Sequence, residues 1–346
     1  MKALGGHIIY VVASSLILLM FSQASLKAQD IHFSQSAWSP LNLNPAETGQ
    51  FRADHRLTMN YRNQWGSVTV PYKTFSAAYE NLQRYRLKWP ANIGMGLLFN
   101  SDVAGDGNFG TIQVKFSAAY HHLSLLDSTL DISAGINVAY NQHSIDFNRL
   151  YFDSQYNGSQ FDPSSQSNEY YQNDRFSYLD MAIGALLNYT INPTLSLRWG
   201  LALNHVNKPK QAFFSEEDNR LEHRFNTYGT LQWRASTYWS IQPSVYYFRQ
   251  GKYNELIYGV FFQKDLNQLN WRTINFALYN RNQDAIIFRV GAIYQSFDLG
   301  FSYDMNYSSL KVASRGIGAF EFSLIYLMYN PQKRQYLYNK QCPVFM

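Results

Sequence analysis

The stretch FDLGFSYDMN, residues 297–306, alternates strictly between two kinds of side chain. Its odd positions are apolar or aromatic, and its even positions are small, polar or acidic. Successive side chains of a β-strand point to opposite faces, so the pattern predicts a strand with one aromatic and one polar face. Two interpretations follow. A soluble sheet would bury the aromatic face, whereas a membrane barrel would turn it towards lipid and enclose the acids in its lumen.

Similar alternating segments of about ten residues recur along the chain, a length that suits a tilted strand crossing a bilayer. An even number of strands is typical of single-chain outer-membrane barrels. We therefore predict an all-β fold, a transmembrane antiparallel β-barrel of about 14 strands over residues 52–329, with both termini in the periplasm. The 14 segments begin near residues 54, 72, 92, 110, 129, 176, 194, 221, 238, 255, 273, 285, 297 and 316.

The connections between the segments favour the membrane interpretation. Taken alternately, one set contains the two longest connections, 148–175 and 208–220, and the other set is shorter apart from 82–91. Barrels have long outer loops and short periplasmic turns. Charges at Asp180, Arg289, Asp304 and Glu321 fall on the lumen face, so we expect a polar, partly ion-paired interior.

Both ends of the chain lack the alternation. Residues 1–28 carry a short basic start, an apolar core and a small-residue cleavage site, which predicts a secretory signal peptide; an uncleaved anchor is the alternative. Residues 29–51 contain prolines and turn residues, and predict an irregular periplasmic lead-in. Residues 330–346 are equally non-periodic and predict a periplasmic tail.

The composition restricts the function. Aromatic residues make up 17% of the chain although the mean hydropathy is −0.32, as expected when a lipid face and a lumen face average out. The net charge of +5 is too small and too dispersed to indicate a nucleic-acid partner. No phosphate loop, paired cysteines or nucleophile elbow is present, so we expect no enzyme, no metal and no cofactor.

Several short motifs, in order along the chain, resemble the PorP/SprF family of type IX secretion outer-membrane proteins. The tail departs modestly, since the family tends to show a basic residue where Val344 stands. The motifs are HFSQ at 32–35, LNPAETG at 43–49, NYRNQW at 60–65, YKTFSAAYE at 72–80, the turn at 102–110, HVNKP at 205–209, FDLGFSYDMNYSSL at 297–310 and CPVF at 342–345.

The resemblance implies a role that periodicity does not show. Members lie in the outer membrane of Gram-negative bacteria and help to export or retain large surface proteins, including gliding adhesins, whose C-terminal domains the machinery recognises. The expected partners are such an adhesin, periplasmic or outer-membrane components of the machinery, and the lipid bilayer. The candidate partner-binding residues lie in the motifs of the two non-barrel ends: His32, Phe33, Asn44, Pro45, Cys342 and Pro343.

Two other functions remain open at this point. A polar lumen also suits a passive outer-membrane pore or transporter. An outer-membrane hydrolase is a third hypothesis, which the absence of any spacing that pairs a nucleophile with a histidine disfavours.

Overall fold

The computed structural model shows a closed barrel of 14 antiparallel strands, in which each strand pairs with its neighbours in sequence and β1 pairs with β14. The structure describes residues 30–66, 70–86, 90–125, 129–156, 158–162, 165, 173–213, 219–268, 270–308 and 316–330. The strands are β1 (His55–Gln64), β2 (Tyr72–Arg86), β3 (Pro90–Ala104), β4 (Phe109–Leu125), β5 (Leu130–Ser144), β6 (Arg175–Asn192), β7 (Leu195–Asn204), β8 (Arg224–Arg234), β9 (Trp239–Gln250), β10 (Tyr253–Asp265), β11 (Trp271–Arg281), β12 (Ala285–Tyr294), β13 (Phe297–Asn306) and β14 (Ile317–Met328).

The barrel is inside-out relative to a soluble protein. On β13, Leu299 and Phe301 are 47% and 38% exposed on the outer wall, whereas Ser302 and Asp304 are 0% and 1% exposed towards the lumen. Large apolar side chains also face outwards on the other strands, and buried polar or charged side chains line much of the lumen. The predicted membrane barrel and the predicted polar interior are therefore confirmed, because a charged lumen and an apolar outer wall suit only a surrounding of lipid.

Alternate connections again differ in length, and they define the two ends of the barrel. The loop rim carries the connections 65–71, 105–108, 145–174, 205–223, 251–252, 282–284 and 307–316; the turn rim carries 87–89, 126–129, 193–194, 235–238, 266–270 and 295–296. The long connection expected at 82–91 shrinks to 87–89, because β2 and β3 extend further than the alternation indicated. The sorting of long loops to one rim is thus sharper than predicted.

The segment before β1 lies inside the barrel, not outside it as the predicted periplasmic lead-in required. It is irregular, as expected, with 3₁₀ turns at Ser36–Trp38 and Pro45–Glu47 and a single helical turn, α1, at Pro40–Leu43. Its side chains are mostly buried against inward-facing residues of the strands. The reason for the difference is chemical: a polar lumen needs hydrogen-bond partners, and this segment supplies them. We call residues 31–50 the plug.

The plug enters the lumen at one rim and leaves at the other. The Ile31 carbonyl accepts a hydrogen bond from Arg224, the first residue of β8 at the loop rim. At the turn rim, Asp54 accepts from the backbone amide of Asn330, just beyond β14. Ile31 and Asn330 thus lie at opposite rims, whereas we had expected the lead-in and the tail to emerge on the same side.

The loop between β5 and β6 contains 3₁₀ turns at Phe147–Arg149 and Asp153–Gln155. No helix among the described residues is long and apolar enough to cross a membrane. The predicted signal peptide, residues 1–28, and nearly all of the predicted tail, residues 331–346, lie outside the described residues.

Candidate functional site: the occupied lumen

Ser34 is the centre of a buried charge network near the loop rim. Its backbone amide donates to Glu321 at 2.6 Å, and its hydroxyl donates to Asp304 at 2.6 Å. The same hydroxyl accepts from Arg62 at 2.8 Å and from Arg281. Arg62 also pairs with Glu321 at 2.5 Å, and both side chains are almost fully buried. Two carboxylates and two guanidinium groups thus compensate one another around one plug residue, as buried charges require.

The next plug residues extend this network towards the turn rim. The side-chain amide nitrogen of Gln35 donates to the Ser302 hydroxyl at 3.0 Å, and its side-chain carbonyl oxygen accepts from Arg289 at 2.8 Å. The Arg289 guanidinium lies 3.5 Å from the centre of the Trp38 ring, a close cation–π contact. The Trp38 indole N–H in turn donates to Asp298 at 3.2 Å. Side chains of β12 and β13 therefore hold this part of the plug.

Asn44 and Pro45 anchor the middle of the plug on the far wall. The Asn44 amide donates to the backbone carbonyls of Ala185 and Leu201, at 3.0 and 3.1 Å. Its own carbonyl oxygen accepts from the amide of Ala46 at 2.8 Å, which caps the 3₁₀ turn that Pro45 begins. Proline suits the first position of such a turn because its fixed φ is preorganised there and its missing N–H is not needed.

Glu47 is a buried carboxylate whose partners come from the barrel wall. The Tyr228 hydroxyl donates to it at 2.5 Å, and Arg198 pairs with its other oxygen at 3.1 Å. The next residue, Thr48, shares a 2.6 Å hydrogen bond with Ser117. Its carbonyl lies 2.8 Å from Nε2 of the buried His121. His121 thus faces the lumen from β4, whereas the next side chain lies beside the exposed ring of Tyr120 on the outer wall.

Three wall glycines receive the backbone of the plug. A Cβ built on Gly94, Gly135 or Gly184 overlaps atoms of the plug, most of them backbone atoms that cannot rotate away. Glycine is the residue that permits such a close approach of two chains. The overlapped plug residues are Thr48, Pro45 and Asn44, in that order.

The remaining part of the lumen is filled by apolar side chains. Leu43 and Ala46 of the plug pack on a buried cluster that includes three tyrosines. The lumen therefore has a charged side along β12–β14, β1 and β2 and an aromatic side along β8–β11, with the plug between them. The members of the cluster from the wall are Leu186, Tyr228, Tyr246, Phe248, Ile257, Phe261, Ala277, Tyr279 and Ile287.

The predicted partner-binding residues of the lead-in are all inside the barrel. Phe33, Asn44 and Pro45 are buried, so they contact the wall of their own barrel. His32 is half-buried near the charged groups of Glu255, Arg62 and Arg281. Cys342 and Pro343 lie outside the described residues. No group of residues suited to a metal ion occurs in the described parts of the chain.

The loop rim carries a second group of aromatic side chains. His143 stacks between neighbouring rings on β4 and β6, with centroids 5.6 Å from Phe109 and 5.0 Å from Phe176. Beyond them, Tyr151 and Tyr156 are 75% and 55% exposed in the loop between β5 and β6. These exposed rings make the loop rim a candidate contact surface.

Sequence reasoning placed the charged wall residues correctly but missed their partner. The alternation assigned Arg289, Asp304 and Glu321 to the lumen, and each is buried there. The alternation did not indicate that Ser34 and Gln35 form the hydrogen bonds that these buried charged groups need. One signal was present: glycines at inward positions of long strands, such as Gly135, weaken a strand unless another backbone approaches.

Comparison with known proteins identifies the family. The family model described as type IX secretion system membrane protein PorP/SprF matches residues 25–326. No curated protein matches the chain. Among solved structures, the toluene transporter TbuX of Ralstonia pickettii is similar at 10% identity and a TM-score of 0.48, covering 86% of this chain and 94% of that one.

Two further solved barrels are similar to the same degree. The monoaromatic hydrocarbon channel CymD has 8% identity and a TM-score of 0.48, with 88% of this chain and 95% of that chain covered. A Pseudomonas aeruginosa FadL homologue has 10% identity and a TM-score of 0.48, covering 82% and 92%. The match over residues 25–326 decides the assignment: this chain belongs to the type IX secretion system membrane protein PorP/SprF family.

Proposed function

We propose that this protein is an outer-membrane accessory of type IX secretion that supports the export or surface retention of a partner adhesin. The observation that carries the proposal is the family match over nearly the whole barrel. The apolar outer wall and the polar lumen agree with a membrane location. In this proposal the predicted signal peptide, residues 1–28, directs export, and the long loops face the cell surface.

The mechanism is binding, with no chemical step. A partner approaching from outside meets the loop rim first, where Tyr151 and Tyr156 present large exposed rings. Tyrosine contributes contact area at a low cost in conformational entropy, and is enriched at protein interfaces. The tail, residues 330–346, is the proposed contact with the periplasmic machinery. The adhesin and the machinery are both recognised outside the bilayer.

Deletion of the gene tests the function. We expect the deletion strain to lose surface display of one adhesin that carries a type IX C-terminal domain, while other cargoes of the same system are still secreted. Immunolabelling of intact cells and analysis of the culture medium measure the two effects. Normal display of every adhesin in the deletion strain would overturn the proposal.

A variant pair tests the proposed contact surface. Replacing Tyr151 and Tyr156 by Ser should reduce adhesin retention without lowering the amount of barrel in the outer membrane. Tyr238 is the matched control, since it is 51% exposed but lies at the turn rim. An equal loss of retention in Tyr238→Ser would contradict a contact at the loop rim.

A further inference from the structure

The plug contacts the barrel wall in every direction. Hydrogen bonds, ion pairs or ring contacts join it to β1–β8 and to β10–β14. A mobile loop resting in a wide lumen would touch one side only. Residues 31–50 instead cross the lumen from the charged side to the far wall and back.

The wall also leaves space for the backbone of this segment. Gly94 and Gly135 leave room for the plug backbone, and the Asn44 side-chain amide donates hydrogen bonds to two backbone carbonyls of the wall. Removing the plug would leave the Arg62, Asp304 and Glu321 charges without Ser34 at their centre. Withdrawal would break the hydrogen bonds that Ser34 makes with all of these groups and with Arg281, so it is opposed.

We propose that residues 31–50 are a fixed plug, so that the lumen stays closed and the protein works only through its two rims. The proposal goes beyond the proposed function, because the role of an accessory is also compatible with an open barrel that conducts the adhesin. It assigns a ligand to the lumen, namely the chain's own Ser34–Gln50 peptide, and it excludes passage of the adhesin through this barrel.

Electrical recording of the purified full chain in planar bilayers tests closure without any partner. We expect no steady conductance from the unchanged protein. The double variant Asp304→Asn, Glu321→Gln removes both carboxylates that hold Ser34, and should show intermittent openings. Asp146→Asn is the control, because that carboxylate is exposed at the loop rim and pairs there with Arg149, away from the plug. A steady large conductance of the unchanged protein would overturn the proposal.

A disulfide tests whether the plug stays in place during secretion. The hydroxyl oxygens of Thr48 and Ser117 are 2.6 Å apart, so cysteine sulfurs at these positions lie near the disulfide bond length of about 2.0 Å. The test variant carries Thr48→Cys and Ser117→Cys in a Cys342→Ser background, and diamide oxidises its two cysteines. Cells with the oxidised variant should display the adhesin as fully as cells with the reduced variant. Display that fails when oxidised and returns on reduction would show that the plug must leave, and would overturn the proposal.

Labelling supplies a second measurement if the double variant folds poorly. Thr48→Cys alone, in secreting cells, should resist a membrane-impermeant maleimide, whereas Tyr151→Cys should react within the same time. Rapid labelling of Thr48→Cys would overturn the fixed plug. Failure of the proposed function is distinguishable, since it appears as normal display after gene deletion and leaves the conductance unchanged.

Discussion

At the scale of single residues, the side of the wall decides what a substitution costs. Phe301 lies at the centre of β13 on the lipid face, and Phe297 lies at its turn-rim end on the same face. An arginine at mid-depth costs about 2–4 kcal/mol and one near the interface about 0–1 kcal/mol. Phe301→Arg should therefore lower the free energy of unfolding in lipid vesicles far more than Phe297→Arg. Equal losses, measured by urea titration, would mean that the strand is placed wrongly in the membrane.

The wall glycines make a second prediction at this scale. Gly135→Ala forces a methyl group onto the Pro45–Ala46 backbone, and overpacking of this kind costs about 1–3 kcal/mol. Gly229→Ala is the control, because its Cβ would meet no atom within 4 Å. We expect protease cleavage within the plug to rise in Gly135→Ala and to stay at the unchanged protein's rate in Gly229→Ala. Similar rates in the two variants would contradict the close contact.

At the scale of elements, the strands were predictable and the plug was not. β12 and β13 begin at the predicted residues 285 and 297, because each alternates without interruption from its first residue. β8 begins at 224 instead of 221. The plug has no period, since its conformation follows from contacts with residues up to 288 positions away, such as the bond from Ser323 to Gln35. The alternation of side chains depends on local strand geometry only. It therefore predicted the polar lumen but not the segment that fills it.

The junction of the plug with β1 and β2 depends on one buried ion pair. Arg56 forms two hydrogen bonds with Glu80, at 2.6 and 2.8 Å, and Glu80 also accepts from the Gly49 amide at 3.0 Å. Arg56→Met leaves a buried carboxylate without its counter-ion and should cost about 3–5 kcal/mol. Arg56→Met with Glu80→Leu removes both charges and should unfold at a higher urea concentration than Arg56→Met alone. If the double variant unfolded at a lower urea concentration than Arg56→Met alone, the ion pair would be solvated and not buried.

At the scale of the whole molecule, the plug changes the topology of the chain. A barrel with an even number of strands brings both strand ends to one rim, and here His55 and Met328 pair at the turn rim. The plug then carries the preceding chain through the lumen to Ile31 at the loop rim. The number of strands therefore fixes the rim of His55 but not the rim of the chain that precedes the plug.

Epitope labelling on intact cells tests this topology. A tag inserted immediately before Ile31 should be reached by antibody from the same side as a tag in the loop at 145–174, because Ile31 accepts its hydrogen bond from Arg224 at the loop rim. A tag after Asn330 should be reached only from the opposite side, once the outer membrane is permeabilised. The comparison needs no assumption about which rim faces outwards, since the loop tag reports it. If the tags before Ile31 and after Asn330 were reached together, the plug would not thread the lumen.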